Sequence, residues 1–448
     1  MNLRRWLTPG IGIKRWLGVV FLGLLVLALA VAHVVRQVTV GLHPGGLGGA
    51  MLDAVTLQFL PYALRGLIAG GVGVILVAVG GIRVVRAVTD PFRHADAEQP
   101  LVEVIYQKRF LAKGPRVVAI GGGTGLGTLL RGMKEHTSNL TAIVTVADDG
   151  GSSGALREEL GIPPVGDIRN CIAALADAEP LMSDLLGYRF PGAARPDGQP
   201  VETTPGGLGG HAIGNLLIAA LTAVEGGDFE EGVRRMNRVL AVRGQVIPAS
   251  PAPITLHART RGGVVVSGQS SVMQTAGIER VWIAPADVTA SGDALAAIAE
   301  AEIVVLGPGS LYTSVLPVLL IPQIRDAVAA APGLRIYACN VATQRGETQG
   351  LDLADHVEAL IGHTRERLID VVLANDELGV RARQDTTAEP VRLRWPPSVD
   401  PVPMLFTDDV VAGPNAHHHD PVRLAAAILR VFEREAGRHR RAGVARSA

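Results

Sequence analysis

The sequence predicts an α/β chain: an open, mostly parallel sheet with an inserted β layer, preceded by two membrane-spanning helices. Three observations lead there. Hydrophobic residues fill 48% of 448 positions while aromatics fill only 4%, and there are 54 glycines. That balance suits a parallel sheet covered on both faces. Short β-branched runs recur after residue 115, and each stops at a cluster of glycine, hydroxyl or acidic residues. Two long apolar stretches lie ahead of them.

The first stretch, Leu17 to Val35, reads LGVVFLGLLVLALAVAHVV, with His33 its one titratable residue. It reaches the roughly 20 residues that span hydrocarbon. The second, Gly66 to Ile82, is GLIAGGVGVILVAVGGI. Its Gly70, Gly71 and Gly73 let another helix approach closely. A buried core helix, or a cleaved signal peptide for the first, is the alternative, but no small-x-small cleavage site follows Ala32. Arg4, Arg5, Lys14 and Arg15 precede the first span, and Arg83, Arg86 and Arg93 follow the second. The loop between carries chiefly Arg36 and Arg65. The positive-inside bias therefore predicts a multi-pass cell-membrane protein with both termini and the soluble domain in the cytoplasm.

The expected domains are a membrane segment over 1–88, a linker and connecting helix over 89–114, a nucleotide-binding domain over 115–432 and a basic disordered tail over 433–448. Lys108, Arg109 and Lys113 in the connecting helix suit anionic headgroups or a solvated face equally. Basic and acidic residues balance at 42 each, so no global field recruits nucleic acid. Cys171 and Cys339 have no metal-ligand or redox spacing and read as small buried hydrophobes in a reducing compartment.

Within the soluble part, RVVAI (116–120) is stopped by Gly121, Gly122, Gly123, Thr124 and Gly125, and a helical run follows. LTAIVTVA (140–147) then ends at Asp148-Asp149. Strand, glycine loop, helix, strand and acid form the first half of a Rossmann-like βαβ unit. Glycines let the backbone approach phosphate oxygens, and the helix start offers free amides to them. The loop fits neither the dinucleotide fingerprint, since Thr128 stands in the third glycine place, nor the P-loop, which needs lysine there. A tight turn that binds nothing is the alternative.

Further clusters favour the ligand. Gly151, Ser152 and Ser153 follow the two acids, whose adjacent carboxylates suit a Mg²⁺ bridging to phosphate or, more plainly, an Asx turn. Asp167, Arg169 and Asn170 open an apolar helix. There Asp167 suits an N-cap, whereas Arg169 opposes the helix dipole and so points to an anion. His211 and Asn215 share a face at another helix start, as ligands or as caps. RTRGG (259–263) joins two strands as a hairpin of the inserted β layer, and Glu279 to Ala284 adds a third strand. Glu302 to Leu306 then runs into Gly307, Gly309, Ser310, Thr313 and Ser314. Ile336 to Cys339 ends at Asn340, followed by Thr343, Gln344 and Glu347, and Val371 to Ala374 ends at Asn375. Four or five strands thus finish in polar residues at one sheet edge, where parallel sheets bind ligands. Asp420-Pro421 starts a last helix expected to end at Phe432, and His417 to His419 reads as a surface loop or a metal site.

VVAIGGGTGLGTLLRGMK, TVADDGGSSGALREELGIPPVGDIRNC, GGHAIGNLLIAALT, GPGSLYTSVLPVLL and NVATQRGETQGLDLADHVEAL together resemble the YvcK-type gluconeogenesis-factor family. That family is related to the 2-phospho-L-lactate transferases, CofD. The resemblance spans about 113–432. It implies a Rossmann-like core, binding of UDP-sugars such as UDP-N-acetylglucosamine, and a regulatory role in carbon metabolism, cell shape and wall-precursor supply. It also implies a wall-precursor or carbon-metabolism enzyme as partner, and a homo-oligomer is expected. The transferase cousins move a phospholactyl group with Mg²⁺, and DDGGSSG follows the gluconeogenesis-factor branch instead. No general base stands out for transfer, with His211 or Asp148 as the candidates.

Overall fold

A computed structural model describes residues 110–191, 207–376, 388–413 and 415–446, together with positions 24, 28, 31 and 61. The chain divides into two compact units, Met1–Phe110 and Leu111–Ala448. Apart from positions 24, 28 and 31, both apolar stretches expected to cross a membrane, and most of the linker, lie outside the described residues. Among the described residues no single helix is long and apolar enough to span a bilayer.

The second unit is built on seven strands: β1 (Val117–Gly121), β2 (Leu140–Val144), β3 (Gln245–Pro248), β7 (Ile303–Leu306), β8 (Leu334–Ala338), β9 (Val371–Asn375) and β10 (Met404–Asp408). All neighbours run parallel, in the order β10-β9-β8-β7-β1-β2-β3. Every residue of β1, β2, β7 and β9 is buried, as expected of strands covered by helices on both faces. The order reverses between β1 and β7, whose registers align Val117 with both Leu140 and Ile303. That is the switch point at which the carboxyl ends of an open parallel sheet leave a crevice.

Helix α1 (Gly123–Met133) follows β1, and α2 (Gly151–Leu160) and α3 (Gly166–Leu175) follow β2. Then come α4 (Glu179–Gly187), α5 (Ile213–Val224) and α6 (Phe229–Val239). The expected inserted layer is a three-stranded antiparallel sheet, β4 (Thr255–Thr260), β5 (Val265–Ser267) and β6 (Ile278–Ala284), in the order β5-β4-β6. A short helix α7 (Gln269–Met273) connects β5 to β6. After α8 (Gly292–Glu300) and β7, a π-helical turn over Leu311–Val315 leads into α9 (Leu316–Leu319) and α10 (Pro322–Ala330). Helix α11 (Leu353–Thr364) joins β8 to β9 and starts with a capping box from Asp352 and Asp355.

Three features depart from expectation. The sheet holds β3 and β10 beyond the strands foreseen; both are edge strands, and QVIP and MLFTD carry too short a pattern to announce themselves. His417 to His419 lie on β12 (Asn415–His419), which pairs with β11 (Val411–Ala412), where a surface loop or metal site was expected. His419 is buried, and its Nε2 stands 3.1 Å from the Cys339 carbonyl. The last helix, α12 (Pro421–Arg446), continues well past Phe432 into the segment expected to be a disordered tail. Its continuation is rich in Glu, Arg and Ala, which favour helix. Cys171 and Cys339 are both free and buried, as the sequence suggests.

Candidate functional site

The two glycine turns meet at the switch point. A Cβ on Gly125 would lie 2.8 Å from the Pro308 carbonyl oxygen and 2.9 Å from Gly309 Cα, so only glycine allows α1 this close to the β7 turn. Gly123 adopts φ +63°, a left-handed conformation that glycine takes without strain. Asn340, at the end of β8, clamps the second turn: its Oδ1 accepts from the Gly309 amide at 3.1 Å and its Nδ2 donates to the Gly309 carbonyl at 3.0 Å.

One of the glycine amides is engaged from within. The Asp167 carboxylate accepts the Gly123 N–H, and its Oδ2 lies so close to Gly122 that a Cβ there would sit 2.4 Å away. Burial, then the neighbouring Asp148 charge, push the Asp167 carboxyl up to about 6. Asp148 is raised too, chiefly by burial. It accepts the Gly150 amide at 3.0 Å, an Asx turn, and also the Ser153 hydroxyl, which itself accepts the Gly166 amide at 2.8 Å. Asp149 takes another direction. Its Oδ1 accepts the Ser270 amide at 2.9 Å, fixing α7 of the inserted layer, while the Asp148 charge is felt at Asp167.

Beside this acidic pair stands Arg169. Its Nη2 donates to Asn170 Oδ1 at 2.7 Å, its stem packs on Gly214, and its buried Nη1 has no hydrogen-bond partner among the described residues. Burial and the nearby Arg189 charge both lower its proton affinity. A guanidinium desolvated next to another cation, with a donor left over, is the arrangement an incoming anion would complete. The buried Thr145 Oγ1 and Asn215 Oδ1 also lack partners among the described residues.

Ser152, His211 and Asn215 form a buried brace. Ser152 Oγ accepts from Asn215 Nδ2 at 3.0 Å and from the Ala212 amide at 3.4 Å, leaving its proton for His211 Nδ1 at 3.1 Å. At 2% and 1% exposure His211 and Asn215 hold the start of α2 against α5. On the β7–β8 side, Gln344 Nε2 donates to Ser310 Oγ at 2.8 Å, and the Thr313 hydroxyl and Tyr312 amide donate to Glu347. Burial raises the Glu347 carboxyl to about 7. Ser314 is buried in the same turn.

Similarity to known proteins agrees with this architecture. The profile of the family described as 2-phospho-L-lactate transferase CofD matches residues 117–395, from β1 to beyond β9. The chain belongs to the CofD family. The gluconeogenesis factor of Bacillus subtilis is 47% identical over 268 residues, covering 60% of this chain and 80% of that one. A gluconeogenesis-factor homologue of Deinococcus radiodurans is 37% identical over 439 residues, covering 96% of this chain and 90% of its own. Among solved structures, a crystal structure of a UPF0052-family protein from Bacillus halodurans is 41% identical with a TM-score of 0.61. It covers 71% of this chain and 99% of that chain.

Within this family frame the fold gathers most of the sequence candidates at one edge. Gly121 to Gly125, Asp148, Gly151 to Ser153, Asp167 to Asn170 and Gly307 to Ser314 meet around the switch point. Thr124 is exposed at its mouth. Thr343 is drawn aside, exchanging hydrogen bonds with Glu389 in both directions. Asn375 sits at the tip of β9, two strands out from β1–β7, where its Oδ1 accepts the Val410 amide at 3.3 Å. Sequence reasoning missed Thr145, Arg189 and Tyr312. Arg189 carries no motif, and Thr145 reads as one more β-branched strand residue.

Proposed function

We propose that this chain is a nucleotide-sugar-binding regulatory protein, held at the cytoplasmic face of a membrane by two apolar spans. In this reading it reports the level of a UDP-sugar, of the UDP-N-acetylglucosamine type, to enzymes of wall-precursor supply or central carbon metabolism. The observation that carries it is the buried Arg169 guanidinium at the switch point, with Nη1 unpartnered among the described residues and the glycine turn alongside. A diphosphate would supply what Arg169 lacks, and the carboxyl edge at a switch point is where open parallel sheets bind nucleotides. The reading is tested by titration calorimetry and thermal melts of the full chain with UDP-N-acetylglucosamine, UDP-glucose, UDP and GDP. A tight ligand in excess raises stability by about 3 kcal/mol. Absence of binding by every UDP compound would overturn it.

A second reading, Mg²⁺-dependent transfer from a nucleoside-diphosphate donor, is favoured by the Asp148–Asp167 pair. Mg²⁺ binds through one or two carboxylates plus phosphate oxygens, and two buried carboxyls, one raised further by the charge of the other, suit it. Asp148 and Asp167 would hold the ion, with Asp149 committed to Ser270. The ion would neutralise charge on the diphosphate. No cluster of three or more His, Cys, Asp or Glu suited to a metal exists among the described residues, so phosphate would have to complete the shell. Product formation from a guanosine diphosphate donor and a deazaflavin alcohol distinguishes this reading from the first.

A further inference from the structure

The β7–β8 side of the switch point, away from the β2 side that carries Arg169, has a regular construction. Ser310 and Thr313 lie three residues apart on the turn after β7, and Gln344 and Glu347 lie three apart on the turn after β8. Each pair is joined: Gln344 Nε2 to Ser310 Oγ at 2.8 Å, and the Thr313 hydroxyl to Glu347 Oε1. The result is two parallel rungs, and the Thr348 hydroxyl accepting the Gln344 amide at 2.9 Å fixes the strip that bears them. The first rung is one residue from the site itself, because Gly309 packs against the Gly122 carbonyl of the glycine turn.

Each rung uses only half of its acceptor capacity. Gln344 Oε1 and Glu347 Oε2 are both buried and have no hydrogen-bond partner among the described residues. Glu347 is only 4% exposed, so its second oxygen has lost water without a protein replacement. Unsatisfied buried acceptors cost stability and persist where something else completes them. Here the missing complement is a donor for Gln344 Oε1 and, for Glu347 Oε2, a hydroxyl that donates to the carboxylate or accepts from the protonated acid. The opposite wall differs: its spare group with a formal charge is the Arg169 guanidinium, a donor suited to phosphate.

We propose that the Ser310–Gln344 and Thr313–Glu347 rungs form the subsite for the uncharged, hydroxyl- or amide-bearing half of a ligand whose diphosphate lies toward Arg169. This rests on the nucleotide-binding reading above and deepens it. The subsite discriminates a glycosyl-linked nucleoside diphosphate from the bare diphosphate. Gln344 and Glu347 act as specificity residues, with no part in holding phosphate.

The test is titration calorimetry of the full chain in detergent with UDP-N-acetylglucosamine, UDP-glucose and UDP. The variants are Glu347→Gln, which keeps the acceptor for Thr313 and replaces the spare oxygen by a donor, and Gln344→Ala on the less buried rung. The wild type is expected to prefer at least one UDP-sugar over UDP by about tenfold or more. Each variant should shrink that preference by about tenfold while UDP affinity stays within about twofold. Equal affinity of the wild type for UDP and the UDP-sugars overturns the subsite but leaves the nucleotide reading standing. So does an unchanged preference in both variants, or a parallel loss of UDP and UDP-sugar binding, which would mark the rungs as mere scaffolding. Wild-type protein that binds none of the three overturns both. Should Glu347→Gln fail to fold, Gln344→Ala decides the question alone.

Discussion

Replacing Asp167 by asparagine should stabilise the protein above neutral pH, although it removes a hydrogen-bonded carboxylate. Asp167 is forced to ionise beside Asp148 in a site shielded from water, and its carboxyl rises from the ordinary 3.8 to about 6. A raised acid holds its proton better in the folded chain than in the unfolded one. Its ionisation therefore opposes folding from about pH 4 upward, and the penalty is complete just above pH 6. The full penalty is about 3 kcal/mol, with about half of it accruing between pH 5 and pH 8. The Gly123 N–H and Arg169 oppose the shift and are already contained in it. Asparagine keeps an oxygen for the Gly123 amide and carries no charge at any pH. Equilibrium urea denaturation of both proteins at pH 5 and pH 8 isolates the effect, because every other titrating group, Glu347 and Asp148 included, is common to the two. The stability gap should move in favour of the variant by about 1.5 kcal/mol on going from pH 5 to pH 8. A gap independent of pH would show that Asp167 ionises normally, and the account of a desolvated acid in the glycine turn would fail.

Other outcomes follow from the same geometry. Arg169→Ala should weaken UDP binding about ten- to hundredfold by calorimetry, the loss expected of a charge-assisted bond, with melting temperature little changed or raised. Asp149→Ala should leave nucleotide affinity unchanged, because that carboxylate holds the Ser270 amide, and should cost about 1 kcal/mol in thermal denaturation. Gly125→Ala should destabilise by about 1–3 kcal/mol and weaken binding together, since its Cβ would press on Pro308 and Gly309.

What the sequence revealed of this protein was the part that backbone geometry writes into residue choice. The turns at Gly121–Gly125 and Gly307–Gly309 were legible because only glycine permits their mutual approach. The hairpin around Arg261-Gly262-Gly263 was legible from its turn residues. The edge strands β3 and β10 were not, because they are short and their pattern barely alternates. The pairing of roles among the acids was also hidden. Adjacent in sequence, Asp148 and Asp149 suggest a shared ligand, whereas the fold commits one to the Gly150 amide and the Ser153 hydroxyl and the other to the Ser270 amide. Glu347 was legible as a candidate for the crevice, but its partner Thr313, 34 positions earlier, was not. Contacts at such separations are set by sheet order, and a local reading of residues carries no trace of them.

A pocket that already contains an acid imposes a condition on its ligand. The Gly123 amide, aimed where a phosphate oxygen is expected, is held by Asp167, so a phosphate group must displace or protonate an anion that belongs to the protein. Two anions cannot share the turn cheaply, since like charges in a poorly solvated site repel strongly. Free phosphate offers only the Arg169 bond as compensation. A larger diphosphate ester can add contacts on the β7–β8 wall, and a divalent cation can neutralise the Asp148–Asp167 pair. The internal carboxylate thus raises the threshold for small anions and leaves it surmountable for ligands that reach both walls. This is selection by competition, and it requires the acid at position 167 to stay charged above pH 6 while the site is empty.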